Sequence, residues 1–279
     1  MLDEAISHLK NHYDGYHFTE MTDLGIFNPF SLMHALDQQK LGNFWAASGS
    51  TMMLPVLVPN LELQADKFDD YLISANVLET SDVSLDNVAL LLYQSGYLTI
   101  KDVLVDAYRL AIPNAEVRSA LYEVVLPALT MRSNTEMFSE QVRLRQQMAS
   151  GDIAGIYNSL KALVADVPYS NKKLSSMDME ERYRLIISSL MRALGFRVEV
   201  EYMMSTGRID VVVWTSQIIY VIELKLKKNG GVSAAEQQIK DRGYVAPFLA
   251  DGRKVIALAL ELDDLGKGLL QMRPITHRP

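Results

Sequence analysis

The feature that most restricts what this chain can fold into is the succession of hydrophobic periods between residues 178 and 260. Residues 178–194 place Tyr183, Ile186, Ile187, Leu190, Met191 and Leu194 on one stripe of a helix, and Gly195 follows where a left-handed residue would stop it. Three strand-like runs come next: Arg197 to Met203, Arg208 to Trp214 and Ile218 to Leu226. Thr206-Gly207 and Thr215-Ser216 supply the turns between them. Ala234 to Leu249 returns to helical spacing as far as Pro247, and Lys254 to Leu260 is an apolar strand. The order helix, strand, strand, strand, helix, strand predicts a mixed sheet covered by helices.

The middle two strands carry charges in an apolar setting. Glu223 and Lys225 stand two apart on one strand and therefore share a face. A two-residue turn at Thr215 and Ser216 would pair Trp214 with Gln217 and set Asp210 opposite Val221, diagonal to Glu223. Val211, Val213, Ile222, Leu224 and Leu226 make the alternate face apolar. Two carboxylates and an ammonium on one sheet face suit a hard divalent cation such as Mg²⁺, which takes oxygen ligands. They suit equally an ion network on a half-exposed sheet, and spacing alone leaves both readings open.

The rest of the chain reads as mostly helical. Its first 60 residues are rich in aromatics (Tyr13, Tyr16, Phe18, Phe27, Phe30, Phe44, Trp45) broken by glycines and Pro29, which predicts short helices and turns around a packed core. Asp86 is a cap for a helix through Tyr93, and Tyr97 to Ile100 is a short strand. From Glu116 to about Leu163 apolar residues recur at helical spacing with a break near Ser150-Gly151, and Pro168 to Ser176 reads as a loop. His8, His12 and His17 have no acidic partner in register and read as surface or turn histidines.

Charge separates the two ends. Residues 1–171 carry 10 Lys and Arg against 21 Asp and Glu, a net −11, whereas residues 172–279 carry 17 against 13, a net +4. Only the second part suits a polyanion, with Lys225, Lys227, Lys228, Lys240 and Arg242 as candidate phosphate contacts, although a solvated surface explains most of them as well. The absence of cysteine excludes disulfides, zinc–thiolate sites and cysteine nucleophiles. No signal segment or membrane-spanning run is legible, so the expectation is a cytoplasmic protein without membrane contact.

Gly207-Arg208-Ile209-Asp210, then Ile222-Glu223-Leu224-Lys225, then Gln238-Ile239-Lys240 with Tyr244, resemble the motifs of the PD-(D/E)XK nuclease superfamily. More narrowly they resemble its Bacteroides-type branch fused to an AAA-ATPase-like module. Ile209 replaces the proline of the name, and Leu224 fills the variable position. The resemblance implies Asp210, Glu223, Lys225 and Gln238 as catalytic residues, Gln238 coming from the helix after the strands. It implies Asp210, Glu223 and Glu180 around the metal, with Glu181 competing for the last place. Tyr13-Asp14-Gly15-Tyr16-His17-Phe18, Asn28-Pro29-Phe30-Ser31-Leu32 and Tyr93-Gln94-Ser95-Gly96-Tyr97-Leu98-Thr99-Ile100 resemble the C-terminal portion of the AAA-like module. No G-x-x-x-x-G-K-[ST] loop occurs, so the chain is expected to be a truncation or remnant of a longer protein, without ATPase activity of its own.

The implied whole is an α/β (α+β) chain in three parts: a helical AAA-like remnant over 1–120, a helical connector over 121–170, and a restriction-endonuclease-like domain with an α-β-β-β-α-β core over 171–279. Its expected function is Mg²⁺- or Mn²⁺-dependent hydrolysis of phosphodiester bonds, in DNA. The acidic N-terminal part is a candidate docking surface for another protein or a second copy. The alternative is a non-catalytic module that keeps the fold to bind nucleic acid or protein.

Overall fold

The computed structural model describes residues 2–17, 24–47, 67–78, 88–165 and 177–276. The chain divides into two compact units, Met1–Val125 and Leu126–Pro279. Elements of the first unit are α1 (Leu2–Tyr13), α2 (Pro29–Gln38), the short α3 (Phe44–Ala47), β1 (Tyr71–Ser74), the short α4 (Ala75–Leu78), α5 (Val88–Gln94), β2 (Thr99–Leu104), β3 (Ala107–Ala111) and the start of α6 (Ala115–Thr130). Its three strands form an antiparallel sheet in the order β1-β3-β2. Asn28 caps α2 by accepting from the Ser31 N–H, with Pro29 at the first helical position, where its missing N–H has no partner to lose. Aromatic residues tie the irregular segments together: the Tyr13 hydroxyl donates to the Gly42 carbonyl and accepts from the Gly42 N–H, and the Tyr16 hydroxyl donates to the Gly96 carbonyl. Tyr13, Tyr16 and Tyr97 are buried as a core reading requires, whereas Phe30 is exposed. The expected residue-86 cap, the Phe18 position and the 168–176 loop fall outside the described residues.

The second unit contains α7 (Asn134–Ser150), α8 (Ile153–Leu163), α9 (Met179–Ala193), β4 (Arg197–Met204), β5 (Gly207–Trp214), β6 (Ile218–Leu226), α10 (Gly231–Asp241), β7 (Lys254–Leu262) and β8 (Leu269–Thr276). The five strands form one sheet in sequence order, antiparallel except for β6 and β7, which run parallel. A parallel pair needs a crossover, and α10 is the helix within it. The architecture is the mixed α/β one expected, with β8 as an added edge strand.

Two local expectations need correction. The β5–β6 connection is not a two-residue turn: the Thr215 N–H donates to the Ile218 carbonyl, and the Thr215 hydroxyl accepts from the Ile218 N–H. A four-residue turn fed by a threonine side chain shifts the register by two, so Trp214 pairs with Ile219 and Val212 with Val221. Asp210 therefore lies level with Glu223 rather than opposite Val221. Because the shift is even, Val212 and Trp214 keep the face they share with Ile219 and Val221, but Ile209 joins that same cluster, so strict alternation is lost next to Asp210. The helix after β6 begins at Gly231, three residues early, and ends at Asp241; Gly243 in the left-handed region turns the chain before Pro247 is reached.

Both faces of the strands are covered. Val212, Trp214, Ile219, Val221, Ala257 and Ala259 pack with Val232, Ala235 and Ile239 of α10, and Val211, Val213, Tyr220, Ile222 and Leu224 of the alternate set are also buried. Gly231 opens α10 at a φ of +55°, and an added Cβ would collide with the Glu261 carboxylate, which caps the helix by accepting from the Val232 N–H at 3.0 Å. Gly231→Ala is accordingly expected to destabilise the protein by about 2–4 kcal/mol, combining backbone strain with loss of the capping acid. Urea unfolding measures this, and a loss below about 0.5 kcal/mol would contradict the packing described here.

Candidate metal centre

The site forms where the sheet splits. β5 and β6 remain paired as far as Val211 and Ile222, after which β5 continues only with β4 and β6 only with β7. Beyond that point the Leu224 N–H, with no β5 carbonyl to meet, donates to Asp210 Oδ2 at 2.8 Å. On the other side of β5, Val200 pairs with Val211 and Tyr202 with Ile209, so Glu201 faces Asp210 across an unpaired gap. Glu201 adopts a left-handed φ of +55°, a strained conformation for a residue with a side chain.

Four ionisable residues expected from sequence converge here. Glu223 is fully buried and Asp210 nearly so. Lys225 Nζ lies 3.1 Å from Glu223 Oε1 and 3.4 Å from Glu180 Oε1. Glu180 also accepts from the Leu226 N–H at 3.3 Å and from Asn229 Nδ2 at 3.4 Å. Glu181 is exposed, so of the two adjacent glutamates Glu180 is the one α9 aims inward. Gln238 stands apart from this cluster: its amide donates to the Tyr244 hydroxyl at 3.0 Å, and that hydroxyl donates to the Arg208 carbonyl at 2.8 Å. It braces the strand leading into Asp210 and makes no hydrogen bond to the acids or to Lys225.

Sequence reasoning passed over two arginines and two acids. Arg184 Nη2 lies 3.0 Å from Glu201 Oε1 and its Nη1 lies 3.7 Å from Asp210 Oδ1, while Arg208 Nη1 reaches the same Glu201 oxygen at 3.1 Å. Glu261, buried beside Lys225 in the β6–β7 register, is occupied by the α10 N-terminus. The spacing of Glu180 and Arg184, one turn apart on α9, was the available signal for Arg184. Nothing local marks Glu201, whose role depends on the distortion of β4.

The electrostatics follow from burial. Removal from water, reinforced by the charge of Asp210, pushes the Glu223 carboxyl up to about 8 even against the opposing pull of Lys225. Burial raises Asp210 too, although the Leu224 N–H, Lys225 and Arg184 oppose it. Burial disfavours the Lys225 ammonium, but Glu223, Asp210 and Glu180 together outweigh this and hold its pKa above the ordinary value. Glu223 Oε2 is buried and makes no well-formed hydrogen bond, although the Asp210 N–H lies near enough to the carboxylate to oppose its raised pKa. A buried carboxylate oxygen in that condition beside a second acid is a donor set that fits a hard divalent cation. Among the described residues no three acids or histidines are already gathered about one point; Lys225 bridges Glu223 to Glu180, and Arg184 spans Glu201 and Asp210.

Residues 178–265 match the family model described as PD-(D/E)XK nuclease superfamily, a span running from the start of α9 to just past β7. That stretch is thus similar to nucleases, which in this superfamily typically use divalent metals. An uncharacterized protein in the vnfD 5′ region of Azotobacter chroococcum mcd 1 is 27% identical over 262 residues, covering 89% of this chain and 48% of that protein. The chain therefore spans about half the length of the curated relative it matches.

Glu223 makes metal-free stability depend on pH. An unfolded glutamate titrates near ~4.3, whereas the folded one holds its proton to about 8. Between those values the folded state keeps a proton that the unfolded chain has released, so stability falls as pH rises. Comparing unfolding in EDTA at pH 6 and pH 9, wild type should lose on the order of 2–4 kcal/mol more than Glu223→Gln. Parallel pH profiles for the two proteins would contradict the burial and pairing assigned to this carboxyl.

Proposed function

We propose that the C-terminal domain, residues 171–279, is a metal-dependent nuclease that hydrolyses phosphodiester bonds in DNA, using Mg²⁺ or Mn²⁺. The observation that carries this reading is the buried Asp210–Glu223 pair with Lys225 beside it and one Glu223 oxygen left without a well-formed hydrogen bond. The superfamily match over 178–265 supports nuclease chemistry at this place in the fold, and the cationic balance of residues 172–279 suits a polyanionic substrate.

In this reading Asp210 and Glu223 would hold the cation, with Glu180, which pairs with Lys225, as a further candidate ligand. When bound, the cation supplies Lewis-acid stabilisation of charge on the phosphate and acidifies water. Asp210 is anchored through Oδ2, which accepts from the Leu224 N–H. A divalent cation held there would take the place of the proton that burial otherwise keeps on Glu223, so metal binding should strengthen as pH rises. Lys225 remains protonated between its acids, so it serves as a donor that orients the attacking water and offsets phosphate charge rather than as a base. Gln238 acts at one remove, through Tyr244 and the Arg208 backbone.

Residues 1–120 are read as AAA-like and residues 121–170 as a helical connector, and the acidic balance of the first part suits docking to another protein or a second copy. The protein is taken to work in the cytoplasm; among the described residues no helix is long and apolar enough to cross a membrane.

Purified protein incubated with Mg²⁺ or Mn²⁺ should degrade at least one of plasmid, linear duplex or single-stranded DNA. Lys225→Met should lower that rate by about 10²–10³-fold without losing its fold. Calorimetry should show Mn²⁺ binding that Asp210→Asn removes. Absence of cleavage on every substrate, or equal rates for wild type and Lys225→Met, would sink the proposal.

A further inference from the structure

Arg184, like Glu201 and Arg208 beside it, has no task in the reading above. It sits one helical turn after Glu180 on the same face of α9, so the helix that delivers an acid to Lys225 also aims a guanidinium at Asp210. Its side chain is only 15% exposed, and Glu201 fixes one end of it at 3.0 Å. The end toward Asp210 lies at 3.7 Å, an ion pair beyond hydrogen-bond length, so the guanidinium counters the Asp210 charge without hydrogen-bonding to it. Glu201 is itself locked by its left-handed backbone and shared with Arg208, so two guanidiniums share one carboxylate at the edge of the acidic pair.

Resting on the nuclease reading, we propose that Arg184 is a substrate-binding residue: its guanidinium clamps a non-bridging oxygen of the phosphodiester presented to Asp210 and Glu223. Glu201 is its positioning residue. A planar fork of donors matches phosphate geometry. Its partial removal from water strengthens the interaction relative to one at an open surface. The guanidinium is thus held by Glu201 at 3.0 Å while standing in ion-pair range of Asp210, a position from which it can reach a phosphate brought to that acid.

The test is binding rather than turnover. Fluorescein-labelled oligonucleotides, single- and double-stranded, are titrated with Ca²⁺ in place of Mg²⁺ over a range of salt concentrations, and Mn²⁺ affinity is measured separately by calorimetry. Arg184→Gln should leave Mn²⁺ affinity within about twofold. It should weaken oligonucleotide binding on the order of ten- to a hundredfold and reduce the slope of log K against log salt by about one. Arg184→Lys, which keeps the charge and guards against a folding defect, should retain the slope and bind with intermediate affinity. Unchanged affinity and slope in Arg184→Gln would overturn the clamp. So would a joint loss of Mn²⁺ and oligonucleotide binding with the slope intact, which would make Arg184 a support for Asp210. If wild type neither binds Mn²⁺ nor cleaves DNA, the nuclease reading itself fails and takes the clamp with it.

Discussion

The hydrogen bond from the Leu224 N–H to Asp210 is the interaction on which the arrangement of the second unit turns. Strands β5 and β6 must part for anything to enter between them, and parting strands leaves backbone donors and acceptors unpaired in a dry interior. Each such group would cost about 1–3 kcal/mol if nothing answered it. The Asp210 carboxylate answers one of them, and in doing so is held at the mouth of the split. The same carboxylate thus stabilises the opening and furnishes the opening with an acid. Below the split, β5 and β6 are an ordinary ladder between two apolar faces.

The charges gathered at the opening make sense only together. Asp210, Glu223, Glu180 and Glu201 are four acids served by Lys225, Arg184 and Arg208, with Glu223 the most deeply buried of them. Buried like charges are unfavourable unless a proton or a counter-ion intervenes. In the metal-free protein a proton on Glu223 does so. The protonated carboxyl lowers the standing repulsion between the acids.

Much of this was legible in the residues. The three strands and the helix before them have periods long enough to be read directly, and the Asp210–Glu223–Lys225 face followed from parity alone. The error in turn length left that conclusion intact, because a register change of two preserves faces while a change of one would have destroyed it. What could not be read depended on side chains acting on backbone. Thr215 lengthens the turn by accepting from the Ile218 N–H, a local bond that composition does not announce. Strand β8 escaped notice because Pro274 and polar residues interrupt it, which an edge strand tolerates and a central one would not. Glu201 was invisible for a deeper reason: its task arises from a left-handed residue inside a strand, which sequence gives no means to foresee.

Helix α9 brings these threads together. Its apolar stripe buries Tyr183, Ile186, Ile187 and Leu190, which fixes the rotation of the helix about its axis. Once that rotation is set, 3.6-residue periodicity leaves no freedom in where Glu180 and Arg184 point. Glu181, one position on, is carried about 100° around the axis and out to solvent. The helix is therefore a rigid bearing for two opposite charges, one on each side of the divided sheet. Its packing energy, rather than the ion pairs themselves, sets their placement, since partly exposed pairs contribute at most about 1 kcal/mol. A site held this way loses precision through changes in the apolar stripe before it loses any charge, so residues far from the acids belong to its chemistry.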